Sequence, residues 1–229
     1  MDNKKYVIGI ILGVIVIGLI YIIGNKNNVI TRDSHVARMC YFYKEKNNET
    51  GLNDRAWLTY VKINDTVEGL YYNLPAEKDS KFGPFSGVLI NNNTSISGTW
   101  SASAEGMENK EQVLIGVNSE TTQVLFGEMV LGQDGGYYYK DINQLFPSFQ
   151  MSKINCDDLD DQIMVENYIR ANISNLTTKK PVLGGNWYIT SVDINVSEKE
   201  VLVQFEDGHI QEKEVWKYQR NGSDVNIMQ

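Results

Sequence analysis

Residues 55–74 read RAWLTYVKINDTVEGLYYNL. Trp57-Leu58-Thr59-Tyr60-Val61-Lys62 has the alternation of a strand, Asn64-Asp65 is a tight link, and a second β-prone run follows from Thr66 to Leu74. The same unit of short strand and turn recurs on both sides. Eight strands are predicted, at residues 38–44, 55–63, 66–74, 84–90, 95–103, 112–117, 122–131 and 137–140. Gly69, Gly87, Gly98 and Gly127 fall inside them, where a tightly curved sheet tolerates or needs a residue without a side chain. No helical period of useful length appears between residues 38 and 140. The expectation is mainly β: an eight-stranded antiparallel meander closed into a small barrel.

Link lengths orient that barrel. The links at 64–65, 91–94 and 118–121 are tight, whereas those at 45–54, 75–83, 104–111 and 132–136 are longer or glycine-rich. Successive links of a meander alternate between its two ends. Every longer link therefore falls at one end, and with them Glu77, Lys78, Asp79, Glu105 and Asp134. Cys40 and the exit of the last strand fall at the tight end.

After Cys156 the period changes. Asp157-Asp158-Leu159-Asp160-Asp161 leads into Val165, Tyr168, Ile169, Ile173 and Leu176, which recur at helical spacing. The acidic residues suit a helix start and cap, and Pro181 with Gly184-Gly185 stops it. Strands are expected near 186–194, 201–206 and 209–220, with Asp207-Gly208 as a hairpin signal and Asn221-Gly222 opening a last short strand. This is a small α+β module, one helix on a three- to four-stranded antiparallel sheet.

The amino end carries a different signal. Residues 6–23, YVIGIILGVIVIGLIYII, hold no charge. At ~1.5 Å per residue they reach about 27 Å, close to the ~30 Å of a hydrocarbon core. Lys4 and Lys5 precede the run and favour a cytoplasmic amino end. A cleaved signal peptide is the competing reading, but Gly24-Asn25-Lys26-Asn27-Asn28 is a poor cleavage site and the run is long for one. The organisation expected is cytoplasmic 1–5, transmembrane signal anchor 6–23, tether 24–37, β domain 38–156 and α+β module 157–229. The protein is then a single-pass cell-membrane protein with its bulk outside the cytoplasm.

The chain has 21 basic and 29 acidic residues; without Lys4, Lys5, Lys26 and Asp2 the exported part keeps 18 and 28, a net charge of −10. So acidic a surface argues against nucleic acid as a partner and against lying flat on anionic lipid. Cys40 and Cys156 are the two cysteines. Outside the cytoplasm an even pair reads as a disulfide, and two isolated buried thiols are the alternative. His35 and His209 stand far apart and no CxxC occurs, so no metal site or cofactor is indicated.

Chemistry-bearing patterns are sparse. Carboxylates on the longer links, among them Glu77, Asp79 and Glu105, would serve acid/base hydrolysis if they faced each other across a mouth, and are otherwise solvated loop charges. GxSxG, HExxH and SxxK are absent. The aspartates at 157–161 lack the alternating ligands and central glycine of a calcium loop. Gly132-Gln133-Asp134-Gly135-Gly136 reads as a hairpin link. Tyr137-Tyr138-Tyr139 would stack on a sugar or peptide with some of its members and enter the core with others, since side chains alternate along a strand. Trp57, Trp100, Trp187 and Trp216 read as core anchors, and His209 as exposed.

The segments CYFY, GLNDRAWL, LPAEKDSKFGPFSGVL, SAEGMENKEQVLI, FGEM and YYYKD resemble a family of uncharacterised exported proteins and lipoproteins of small-genome, uncultivated bacteria. VENYIRANISNL, PVLGGNWYITSV and FEDGHI resemble a carboxy-terminal module attached to similar proteins. The resemblance implies no activity and no catalytic residue. It places Glu77, Lys78, Asp79, Glu105, Glu111 and Glu128 in family-like segments. This chain has a bare anchor where lipoprotein relatives would carry a lipid-modified cysteine. Strand count and glycine placement also give the β domain a loose likeness to calycin barrels, an analogy that carries no ligand. Three functions are in play: non-enzymatic binding at the cell envelope through the outward links, a cell-envelope hydrolase using loop carboxylates, and a structural envelope spacer.

Overall fold

The computed structural model describes residues 37–46, 52–76, 79–182 and 185–228. The apolar run at 6–23, the tether, Glu77 and Lys78 lie outside the described residues. Among those described, no helix is long and apolar enough to cross a membrane.

Seven strands form an antiparallel meander: β1 (Arg38–Lys46), β2 (Asn53–Ile63), β3 (Thr66–Leu74), β4 (Lys81–Ile90), β5 (Ser95–Ala104), β6 (Met107–Val117) and β7 (Thr121–Phe126). Between β7 and the strand that closes the ring come the hairpin β8 (Met129–Leu131)–β9 (Tyr137–Tyr139), a 3-10 turn at Ile142–Gln144 and β10 (Phe146–Pro147). The closing strand is β11 (Met151–Lys153), which pairs with β7 through Met151 and Thr122 and with β1 through Lys153 and Tyr41. The barrel thus has eight antiparallel strands, but its eighth is not the one expected at 137–140. The predicted strand 122–131 breaks after Phe126, and Leu145 packs so closely on Gly127 that a Cβ there would lie 2.5 Å from its Cδ2. A three-residue strand such as β11 is too short to show a period in sequence.

The inward positions form one apolar cluster. Tyr41, Leu58, Val67, Tyr71, Ile96, Ile115 and Met151 are all fully buried, with Phe85 and Trp100 nearly so. Burial of each is worth about 1.5–3 kcal/mol. Tight curvature is possible because Gly87 and Gly98 stand directly opposite each other: a Cβ on Gly98 would lie 2.7 Å from the Gly87 Cα and 2.0 Å from the Ser86 oxygen. Near one mouth the inward side chains turn polar. Lys81 Nζ bonds Glu111 Oε2 at 2.6 Å and lies 5.3 Å from the Trp100 ring centre, while the Trp100 indole donates to the Gly83 carbonyl at 3.1 Å.

The tight links do share one end, and the Cys40–Cys156 disulfide is there, with Cα atoms 5.3 Å apart. The opposite end holds the links after β1, β3 and β7. The fourth expected long link, 104–111, is instead a two-residue turn: Glu105 (φ 49°) and Gly106 (φ 78°) connect strands that pair as far as Ala104 and Met107. Glu108 and Lys110 are exposed on β6, whereas Glu111, on the same strand, is buried.

The helix α1 (Cys156–Leu176) starts at the disulfide. Its cap is Asn155, whose side chain accepts from Asp157 N at 2.9 Å; the acidic run forms the first turns of the helix. Leu159 and Ile163 pack with Cys40 and Trp57 on the outside of the barrel. Val165, Ile169 and Ile173 pack on the antiparallel sheet β12 (Tyr188–Asn195)–β13 (Glu200–Glu206)–β14 (Gln211–Asn221)–β15 (Asp224–Met228), against Val203, Phe205, Trp216 and Tyr218. Asp207-Gly208 does turn this sheet, within a four-residue link in which Asp207 accepts from the backbones of His209 and Ile210. Asp161 is not a linker charge. It is 2% exposed and accepts from Lys199 (2.5 Å), Tyr218 (3.0 Å) and Arg220, tying α1 to the sheet.

Candidate functional site

The packed interior directs attention to the outer wall. A groove of about 660 Å³ runs over the exterior of β4, β5 and β6 and under the β8–β9 hairpin. Strand register builds its floor. Glu68 stands opposite Ser86, Ser86 opposite Thr99, and Thr99 opposite Gln112, so four polar side chains cross four strands in one row. One step along, Ser101 stands opposite Lys110. The residues between them, Phe85, Trp100 and Val113, point the other way into the core. Alternation alone therefore makes one face apolar and the other a polar strip, with hydroxyls at Ser86, Thr99 and Ser101 flanked by Glu68, Lys110 and Gln112.

The wall of the groove comes from GQDGG and the tyrosines after it. The link closes with Gly132 N donating to Gly136 O at 2.7 Å, as a hairpin. Tyr138 folds back across it. Its hydroxyl donates to Asp134 Oδ2 at 2.6 Å, and a Cβ on Gly132 or Gly136 would lie 2.6 or 3.2 Å from the tyrosine ring. A side chain at Gly132 would displace the ring, and one at Gly136 would crowd it. Tyr138 is 42% exposed; Tyr139, its neighbour, is 8% exposed and donates to the Leu125 carbonyl at 2.6 Å. The alternation expected of the tyrosine run is what occurs. Tyr139 N also donates to Gln112 Oε1 at 3.0 Å, which fastens the hairpin to the floor.

The ionisable groups lean toward fixed charge. The Tyr138 hydroxyl, with help from Gly136 N–H, holds the Asp134 carboxyl below the usual carboxylate range. Burial pushes the Tyr139 phenol up to about 12. Glu111, a second acid at the groove, is engaged by Lys81.

Of the residues singled out from sequence, Asp134 lies in the groove. Asp79 and Glu105 are exposed on separate links and are not among the groove's lining, and Glu77 and Lys78 lie outside the described residues. Glu128 pairs with Lys140 at 2.9 Å in the open. Ser86, Thr99, Ser101, Lys110 and Gln112 were not singled out. Their alternation with core residues is legible, but their adjacency depends on three strand registers. Trp57, Trp100, Trp187 and Trp216 are all buried, and His209 is exposed. Among the described residues no group of three or more His, Cys, Asp or Glu could hold a metal ion. No family model, no curated protein and no solved structure matches this chain.

Proposed function

We propose that this protein is a membrane-tethered, extracytoplasmic binding protein whose outer-wall groove takes a neutral, polyhydroxylated chain such as an oligosaccharide. The observation that carries this reading is the pairing of an aromatic ring, held by its bond to Asp134 over two glycines, with a row of polar side chains that includes the exposed hydroxyls of Ser86 and Thr99. An aromatic face suits the C–H face of a sugar ring, and hydroxyls both donate and accept. Preorganisation of the ring lowers the ordering cost of binding. The groove's volume lies in the usual range for ligand sites.

The hydrolase reading gains less support. Asp79 and Glu105, two of the carboxylates it would use, stand exposed on separate links outside the groove. The disulfide supports an oxidising compartment, and residues 6–23 supply the tether. The test is retention of the full chain in detergent on immobilised envelope polysaccharide. Tyr138→Ala should abolish retention and leave melting nearly unchanged. Undiminished retention of that variant would contradict the assignment.

A further inference from the structure

We propose that a second, separate cleft, between the barrel wall and α1, binds a small carboxylate bearing an apolar group through Arg55 and Arg170. The cleft measures about 350 Å³. Arg55 reaches it from the outer face of β2 and Arg170 from α1, and both pair with Glu166, which is 8% exposed; Arg170 Nε donates to it at 2.7 Å. Two guanidiniums and one carboxylate line the cleft among the described residues, a local cationic excess in a chain of net charge −8. Each guanidinium has five donors in a planar fork that matches a carboxylate.

The sheet is shaped around the same place. The β12–β13 register slips by one residue between Ile189 and Ser191, making Thr190 the extra residue of a bulge. Bulges re-aim side chains and recur beside functional sites. Thr190 lines the cleft, and its Oγ1 is buried without a hydrogen-bond partner. Arg170 Nη1 donates to the Ile189 carbonyl at 3.4 Å, on the amino side of the bulge. That hydroxyl is a donor for which the protein supplies no acceptor, and a ligand oxygen would supply one. Trp57, Leu74 and Ile163 supply the apolar side.

N-acetylphenylalanine and its amide are the probes, titrated into the full chain in detergent micelles. The acid should saturate with a dissociation constant in the millimolar range or below, at least about tenfold tighter than the amide. Arg170→Gln and Thr190→Val should each weaken the acid about tenfold and leave the amide unchanged. Thr190→Val keeps the shape and carries the test if Arg170→Gln does not fold. Equal binding of acid and amide, or no saturation by either at about 10 mM, would overturn the proposal. A triad that only fastens α1 to the barrel would give the second result.

Discussion

The Tyr138 hydroxyl donates to the Asp134 carboxylate at 2.6 Å across a four-residue gap in sequence. The bond fixes an exposed ring and an ionised acid at the same wall of the groove. Tyr138→Phe keeps the ring and removes the bond, so the Asp134 titration followed by NMR should move up toward about 3.9. In the intact protein the depressed value means that the bond is fully present above the ordinary carboxylate range. It is lost as pH falls through the folded value. Binding in the groove should therefore be flat from neutral pH to about pH 4 and decline below it. A loss of binding between pH 5 and 7 would place a different titrating group in the site.

Cys40 and Cys156 close a loop of 116 residues at the end where α1 begins. In the chain-entropy model the bridge is worth about 4–5 kcal/mol. Replacing both cysteines with serine should lower chemical stability by up to that amount, with the unfolding midpoint in urea as the measure. A change below about 1 kcal/mol would mean that the unfolded chain is already constrained.

Asp161 is the buried hub of α1 and the four-stranded sheet. Burial alone would raise its pKa, but bonds from Arg220, Lys199 and Tyr218 outweigh it and hold the carboxyl low. Its stabilisation is present above about pH 3.9 and is lost as pH falls through the folded value. Asp161→Asn should cost about 3 kcal/mol, since it strands the Arg220 charge. Its melting temperature should depend less on pH below about pH 4 than that of the intact protein.

Glu105 holds φ 49° in a two-residue hairpin turn ahead of Gly106. Asparagine adopts that region more readily than glutamate, and Asn-Gly is the favoured pair for such turns. Glu105→Asn should stabilise by a few tenths to about 1 kcal/mol. If it destabilises, the Glu105 carboxylate has a structural partner.

Much of this fold was legible in the sequence, because alternation and turn chemistry are local signals. β2, β3 and the Asn64-Asp65 link between them were read close to their observed bounds, as was the amphipathic face Val165–Ile169–Ile173. The disulfide followed from an even pair of cysteines in a chain read as exported, and link lengths placed it at the tight end. Barrel closure did not, because Met151–Lys153 is held by pairing on both sides and has no period of its own. Asp134 and the tyrosine run were visible as candidates, but the Glu68–Ser86–Thr99–Gln112 row exists only through register. Asp161 resembled its neighbours Asp157, Asp158 and Asp160 in every local respect; only the packing of α1 on the sheet distinguishes it.

The assignment of the groove is tested most directly by amide chemical-shift mapping of the full chain in micelles during titration with oligosaccharides. Saturable perturbations should centre on Ser86, Thr99, Ser101, Gln112 and Tyr138, and vanish in Tyr138→Ala while the rest of the spectrum is kept. Perturbations confined to the links carrying Asp79 and Glu105, or none at any oligosaccharide concentration, would contradict it.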